Sequence, residues 1–305
     1  MTYSETELER WDQQLRRARA LPLPDTLTPA ERDVWPTADG LPSHDLSVAG
    51  ETRIAVAGDW ESQDRTVFPL LRRLKAAAPD IRTIVQLGDL QWRPPIAPAK
   101  RSRLQGQNFV QRLDQELQAN DIDRVIVIPG NHDWWERLHT EFSAHPDRFL
   151  RAGQRIWLAP RGKRFQLANH SYLCMGGAAS LERDGGPYET PTEADIDHAI
   201  SGGSTDVLLT HEAVNAGIGA VEDAIRAPST FTAHRRHRSR ISRARVTRLW
   251  SALQPGLTFH GHMHVAGSAV RSDGRVVHSL NLVRQPRHVA ILTLADLGVT
   301  WLDDL

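Results

Sequence analysis

Asp59, Asp89, Asn131, His211, His262 and His264 are the residues of this chain best suited to chemistry, and each stands at the end of an apolar run. They lie in Gly58-Asp59-Trp60-Glu61, Gly88-Asp89, Gly130-Asn131-His132-Asp133, a lone His211, and Gly261-His262-Met263-His264. Carboxylate, amide and imidazole donors with no thiolate among them suit Mn, Fe, Zn or Ni. The same set argues against a structural zinc site built on cysteine. The chemistry they suggest is a metal site assembled from distant segments.

The runs that precede these fragments must position them. They are Ile54-Ala55-Val56-Ala57, Ile84-Val85-Gln86-Leu87, Val125-Ile126-Val127-Ile128, Val207-Leu208-Leu209-Thr210 and Leu257-Thr258-Phe259. Their length and apolar character predict strands covered on both faces. Polar residues at the carboxyl ends of such strands are where open α/β sheets carry their sites. Helical spacing of Val67, Leu70, Leu71 and Leu74 predicts a helix over 66–78, and Phe109, Leu113 and Leu117 predict another over 105–118. A proline-rich loop, residues 93–100, separates the second fragment from that second helix. After Leu158 the pattern turns to short β segments, 164–167 and 172–175, and more close the chain around 266–270, 276–282, 289–294 and 299–302. Two packed sheets flanked by helices account for this order.

The order and spacing of the fragments resemble the calcineurin-like metallophosphoesterases, whose motifs run D-x-H, GD, GNH[D/E], H and GHxH. The resemblance spans residues 52–265 and rests on the combination, since any one fragment alone would be weak. It implies an α/β fold of two packed mixed β-sheets flanked by helices, a four-layer αββα sandwich over residues 51–305. It also implies hydrolysis of a phosphate ester at two divalent metal ions, Mn first, with Fe, Zn or Ni as alternatives. Carried over position by position, the first ion takes Asp59, Asp89 and His264, and the second Asp89, Asn131, His211 and His262. Asp89 serves both, because a carboxylate has two oxygens that can each bind one ion. Two cations about 3.5–4 Å apart can activate a water between them and hold the phosphate oxygens during in-line displacement. His132 is the implied general acid, a task that suits imidazole near neutral pH. Asp133 has two readings, orienting that imidazole or capping a helix that starts at Trp134.

The chain departs from the motif where D-x-H becomes Asp59-Trp60-Glu61. Glu61 can replace the imidazole as a harder ligand, swing away and leave the first site weak, or mark a non-catalytic or single-metal interaction scaffold on the same fold. A second departure concerns substrate. Phosphoprotein phosphatases carry Asp-Arg-Gly after the second motif, whereas here Leu90-Gln91-Trp92-Arg93-Pro94 follows Asp89. The chain looks more like compact bacterial and phage enzymes that act on small phosphomonoesters, phosphodiesters or nucleotides.

Residues outside the motifs carry weaker signals. The stretch 234–248 holds seven arginines and no acid. Ile241, Ala244, Leu249, Trp250 and Leu253 make its second half an amphipathic helix. Arg235, Arg236 and Arg238 are then either a solvated face or a grip on phosphate, and nucleic acid is a less favoured partner. Trp60, Trp92, Trp134 and Trp135 lie beside motif residues and either stack a base or pack the core. Residues 5–20 predict an amphipathic helix ended by Leu21-Pro22-Leu23-Pro24, with a short helix from Thr28. Residues 1–50 are thus expected to form a helical extension that covers a flank of the core or reaches a partner.

A formal net charge of +0 gives no global field to draw in nucleic acid or acidic membranes. Cys174 is the only cysteine, which excludes an internal disulfide, fits a reducing compartment and, in an apolar strand, predicts an inert core thiol. The first residues lack the apolar core of a signal peptide, and no apolar run is long enough to span a bilayer. A cytoplasmic protein with no membrane contact is expected.

Overall fold

The computed structural model describes residues 44–92, 109–227 and 231–305. The helix expected over 5–20, the short helix after Thr28, the proline-rich loop 93–100 and the start of the helix expected from 105 lie outside the described residues.

Three strands that lead into motif fragments, β1 (Arg53–Ala57), β2 (Thr83–Gln86) and β3 (Arg124–Val127), run parallel and adjacent. The pair β4 (Leu150–Arg151) and β5 (Ile156–Leu158) extends this sheet beyond β3, with β5 parallel and β4 antiparallel. A second sheet contains β6 (Arg164–Leu167), β7 (His170–Met175), β8 (Val207–Thr210), β9 (Leu257–His260), β10 (Gly267–Val270) and β11 (Val276–Ser279). Its order is β10-β11-β9-β8-β7-β6, with β7, β8, β9 and β11 parallel. The chain then returns to the first sheet as β12 (Val289–Thr293), antiparallel to β1, and β13 (Val299–Trp301), giving the order β13-β12-β1-β2-β3-β5-β4.

Strand side chains alternate between faces, and in these strands both faces are apolar. Ile54, Val56, Val85, Leu87, Ile126 and Ile128 point inward and meet Tyr172, Cys174, Leu209 and Phe259 of the other sheet. The opposite side chains of the first sheet, Ala55, Ala57, Ile84 and Val127, pack on α1 (Asp64–Ala77), α2 (Phe109–Ala119) and α3 (Trp135–Ala144). On the second sheet, Leu173, Met175 and Leu208 pack on α4 (Glu193–Ser201), α5 (Gly219–Arg226) and α6 (Ala233–Leu253). The layers are therefore helix, sheet, sheet, helix, as the resemblance implied. No helix of the described residues is long and apolar enough to cross a membrane.

Several details differ from the expectations drawn from sequence. Helix α6 is continuous from Ala233, and its buried stripe is Ser239, Ser242, Arg243, Val246, Leu249, Trp250 and Leu253. Ile241 is 38% exposed and Ala244 is exposed, so neither lies on the stripe. In this part of α6 Arg235 reaches Asp184 and the Glu182 carbonyl, and the covered Arg243 donates to Asn215 Oδ1. Arg245 and Arg248 bind Glu193 and Asp197 on α4, so the outer half of the arginine stretch joins two helices. Helix α4 opens with a reciprocal cap: Thr192 Oγ1 accepts from the Asp195 amide and Asp195 accepts from the Thr192 amide. Residues 44–46 run beside β6, with the Leu46 amide donating to the Gln166 carbonyl at 2.8 Å and the Leu46 side chain in the core between the sheets.

Candidate metal centre

The carboxyl ends of β1, β2 and β3 meet those of β8 and β9 at one edge of the sandwich, and every motif fragment begins there. The approach is close enough to explain two glycines. A Cβ on Gly88, whose φ is +105°, would strike the His211 ring and Gly130, and a Cβ on Gly130 would strike Asp89. The loops bend sharply: Glu61, Asp89, His262 and His264 have φ of 46°, 52°, 66° and 53°. Left-handed backbone at several non-glycine residues in one place is a mark of a site held under strain by its surroundings.

Two donor groups form at this edge. Asp89, His211 and His262 offer ligand atoms within 4.8 Å of one another, and so do Asp59, Asp89 and His264. Asp89 is common to both. His211 Nδ1 donates to the Leu87 carbonyl at 2.6 Å, since a carbonyl can only accept, and this leaves Nε2 facing Asn131 Oδ1 at 3.0 Å and Asp89 Oδ1 at 3.5 Å. His264 Nε2 lies 3.0 Å from Asp59 Oδ2. Neighbouring donors at about 2.1 Å from one ion sit about 3 Å apart, so both spacings suit ligands of a shared cation. The His262 amide donates to both oxygens of Asp59, at 3.2 and 3.1 Å, fixing the last motif loop to the first.

Electrostatics point the same way. Burial works to lower the His211 pKa, yet Asp89 and Asp59 outweigh it and raise it to about 10. Burial opposes the charge of His264 too, and Asp59, Glu61 and Asp89 raise it to about 9. Burial likewise opposes charge on Asp89, but His211 and His132 hold its carboxyl well below the usual range. A pocket in which carboxylates drive their histidine neighbours cationic is one that calls for positive charge. His262 is pushed the other way, first by burial and then by His211, and stays neutral as a ligand must. The donor types, their spacing and this field all fit divalent ions.

The remaining predicted residues fall around these groups. Glu61 Oε1 is 3.5 Å from His264 Nε2, so the substituted residue turns toward the first donor group. The His132 amide donates to Asp89 Oδ1 at 2.7 Å, and its ring lines the cavity above the donors with Nε2 4.0 Å from Asp89 Oδ2. Asp133 is buried, and its two oxygens accept the Trp92 amide at 2.7 Å and the Gly130 amide at 2.8 Å. It ties the second motif loop to the third. Burial, reinforced by the charge of Asp89, pushes its carboxyl up to about 7. Helix α3 starts at Trp135, and Trp134 before it has no side-chain cap, so Asp133 does not cap that helix.

Trp60, Trp92, Trp134 and Trp135 are all buried, at 4% exposure or less, which removes the base-stacking reading for them. Trp135 Nε1 donates to the Gly130 carbonyl at 2.7 Å under the Arg161 guanidinium, bracing the third loop. Arg235, Arg236 and Arg238 do not line the cavity. Arg235 is held by Asp184 at 2.9 Å and by the Glu182 carbonyl at 2.7 Å, so it supports the loop at the cavity's edge.

Two neighbours of the site carry no sequence motif. Glu212 is fully buried beside His211, accepts amides from Ala179 and Ala213, and lies 3.9 Å from His262 Nε2; burial pushes its carboxyl up. Arg183 donates to the Asn131 carbonyl at 2.6 Å and pairs with Glu189 at 2.7 Å. An acid set between His211 and the apolar pair Ala213-Val214 was the available signal for Glu212. Nothing in the sequence marks Arg183 apart from other arginines.

The chain is similar to known proteins both in its motifs and in its fold. The sequence model of the calcineurin-like phosphoesterases matches residues 52–266. A dimetal phosphatase of known structure from Danio rerio is 14% identical, with a TM-score of 0.52 over 81% of this chain and 93% of that chain. A protein from Thermus thermophilus is 12% identical, with a TM-score of 0.48 over 82% of this chain and 97% of that chain. The likeness to the Danio rerio protein, at 14% identity, is one of fold. Among curated proteins, none matches the sequence.

Proposed function

The chain belongs to the calcineurin-like phosphoesterase family, and on that premise we propose that it hydrolyses a small phosphomonoester or phosphodiester at a dinuclear metal centre. The observation that carries the proposal is Asp89, shared by two donor groups and held by the amide of His132. Asp59, Glu61, Asp89 and His264 would hold the first ion, and Asp89, Asn131, His211 and His262 would hold the second. Mn fits first, because oxygen donors outnumber imidazoles once Glu61 is counted. Divalent ions held there would supply Lewis acidity at the phosphoryl group and would lower the pKa of a nucleophilic water.

The chain's own groups do the rest. His132, on the open side of Asp89, holds a proton on its ring and passes it to the departing oxygen of the ester. Asp133 keeps the second and third loops in register, so it acts as a positioning residue. Glu212 accepts the Ala179 and Ala213 amides and so braces the segment after His211, with its charge 3.9 Å from His262 Nε2. The lone buried cysteine supports placing the protein in a reducing compartment such as the cytoplasm.

The test is turnover of p-nitrophenyl phosphate and bis-p-nitrophenyl phosphate by Mn-loaded protein, with metal analysis alongside. Activity should depend on Mn and vanish on chelation. A fully loaded protein with no turnover of monoesters, diesters or nucleotides would favour the interaction scaffold.

A further inference from the structure

We propose that the ester's alcohol portion is a compact, uncharged apolar group, of about one ring or a short chain, and not a nucleoside, a sugar phosphate or a polyanion. This inference rests on the phosphoesterase reading of the metal centre. The cavity over that centre has a volume of about 180 Å³. A cavity of about 150 Å³ holds one benzene, so the space against the donors encloses a group of that order, and a nucleoside would have to extend out through its open mouth.

The walls define its chemistry. Asp89, Asn131, His132, His262 and His264 form the floor. Leu181, Ala224, Phe231 and Met263 form the apolar sides, contributed by the loop after β7, by α5, by the segment before α6 and by the last motif loop. The polar wall residues beyond the floor are Ser180 and the exposed carboxylate of Glu182. No lysine or arginine lines the cavity among the described residues. A second phosphate or a carboxylate on the substrate would meet Glu182, and among the described residues no lysine or arginine faces the cavity to receive it. The basic side chain nearest in sequence to the wall, Arg183, is turned to the Asn131 carbonyl and Glu189. Arg235 is turned to Asp184. Site pockets of this kind draw affinity from apolar contact and use few polar groups to fix orientation.

The experiment measures binding of non-hydrolysable phosphonates to the Mn-loaded protein by calorimetry, with turnover recorded separately. Benzylphosphonate should bind about tenfold tighter than methylphosphonate, the effect of burying part of one ring. 3-Phosphonopropionate should bind no better than methylphosphonate. F231S should reduce the benzyl preference severalfold while leaving methylphosphonate binding unchanged, a readout that a general loss of folding would not give. E182K should improve 3-phosphonopropionate binding by about two- to fivefold, an effect that fades as salt rises.

Equal binding of benzyl- and methylphosphonate, binding of neither, or tighter binding of a nucleoside phosphonate than of benzylphosphonate would each overturn the inference. So would an F231S protein with the parent's preference. Selective benzylphosphonate binding without turnover of any ester would instead leave this inference standing and remove the hydrolase reading. Equal turnover of phenyl phosphate and 3-phosphoglycerate would do the reverse.

Discussion

Glu61 Oε1 and His264 Nε2 lie 3.5 Å apart, and the same imidazole nitrogen is 3.0 Å from Asp59 Oδ2. The residue that replaces the motif histidine therefore faces the first donor group. Its left-handed backbone and the donation of its amide to the Asp89 carbonyl at 2.7 Å hold it there. The parent should bind two equivalents of Mn. Glu61→Ala should weaken one equivalent, and Glu61→His should move preference toward Zn, because imidazole replaces an anionic oxygen. One equivalent in the parent and two in Glu61→His, by metal analysis, would show that Glu61 is no ligand.

Asp89 is common to both donor groups, whereas Asp59 and His211 each belong to one. Asp89→Asn should then lower the content of both ions, while Asp59→Asn and His211→Ala each lower mainly one. Metal analysis of the three variants checks this, with circular dichroism to verify folding. Retention of both ions by Asp89→Asn would remove the bridging role.

His132 lines the cavity without belonging to either donor group. His132→Ala should lower kcat by about 10²–10⁴-fold for an alkyl ester and leave the metal content near the parent's. The loss should shrink for p-nitrophenyl phosphate, whose leaving group departs without a proton. An equal loss for both substrates would argue that His132 positions the substrate and transfers no proton.

Glu51 and Arg124 form a buried pair at 2.8 Å, with side chains 3% and 1% exposed, and Arg124 Nε also donates to Thr83 Oγ1. Glu51→Leu takes from the buried guanidinium the carboxylate hydrogen-bonded to it, with the charge of Asp45 still acting on it, and should cost about 3–5 kcal/mol in urea unfolding. Glu51→Leu with Arg124→Met should recover much of that loss. A single variant within about 1 kcal/mol of the parent would show that water reaches the site.

Burial pushes the Cys174 thiol up to about 12. A disulfide reagent should therefore leave the native protein unmodified at neutral pH and titrate one thiol in denaturant. Rapid labelling of the native protein would place Cys174 outside the core.

The candidate donors were legible in the sequence because each follows a doubly buried strand, and apolar runs ending in polar residues are local signals. Asp59, Asp89, Asn131, His211, His262 and His264 needed no contact information to be singled out. Element boundaries came close for the same reason: β8 spans the run Val207–Thr210 and β6 the segment 164–167. Other features are properties of three-dimensional packing. Asp133 could only be assigned once Trp92 and Gly130 were seen to donate to it from different loops. Arg235, Arg236 and Arg238 read locally as a cationic run, but which of them reach a phosphate depends on how α6 is rotated. That rotation places Ser239, Ser242 and Arg243 inward and gives Arg235 to Asp184. Glu212 and the apolar walls of the cavity come from segments with no motif, joined only when the second sheet docks on the first. Local periodicity and strand ends determined which residues are the candidates for chemistry. The meeting of two sheet edges decided which of them face one another and what the cavity above them can admit.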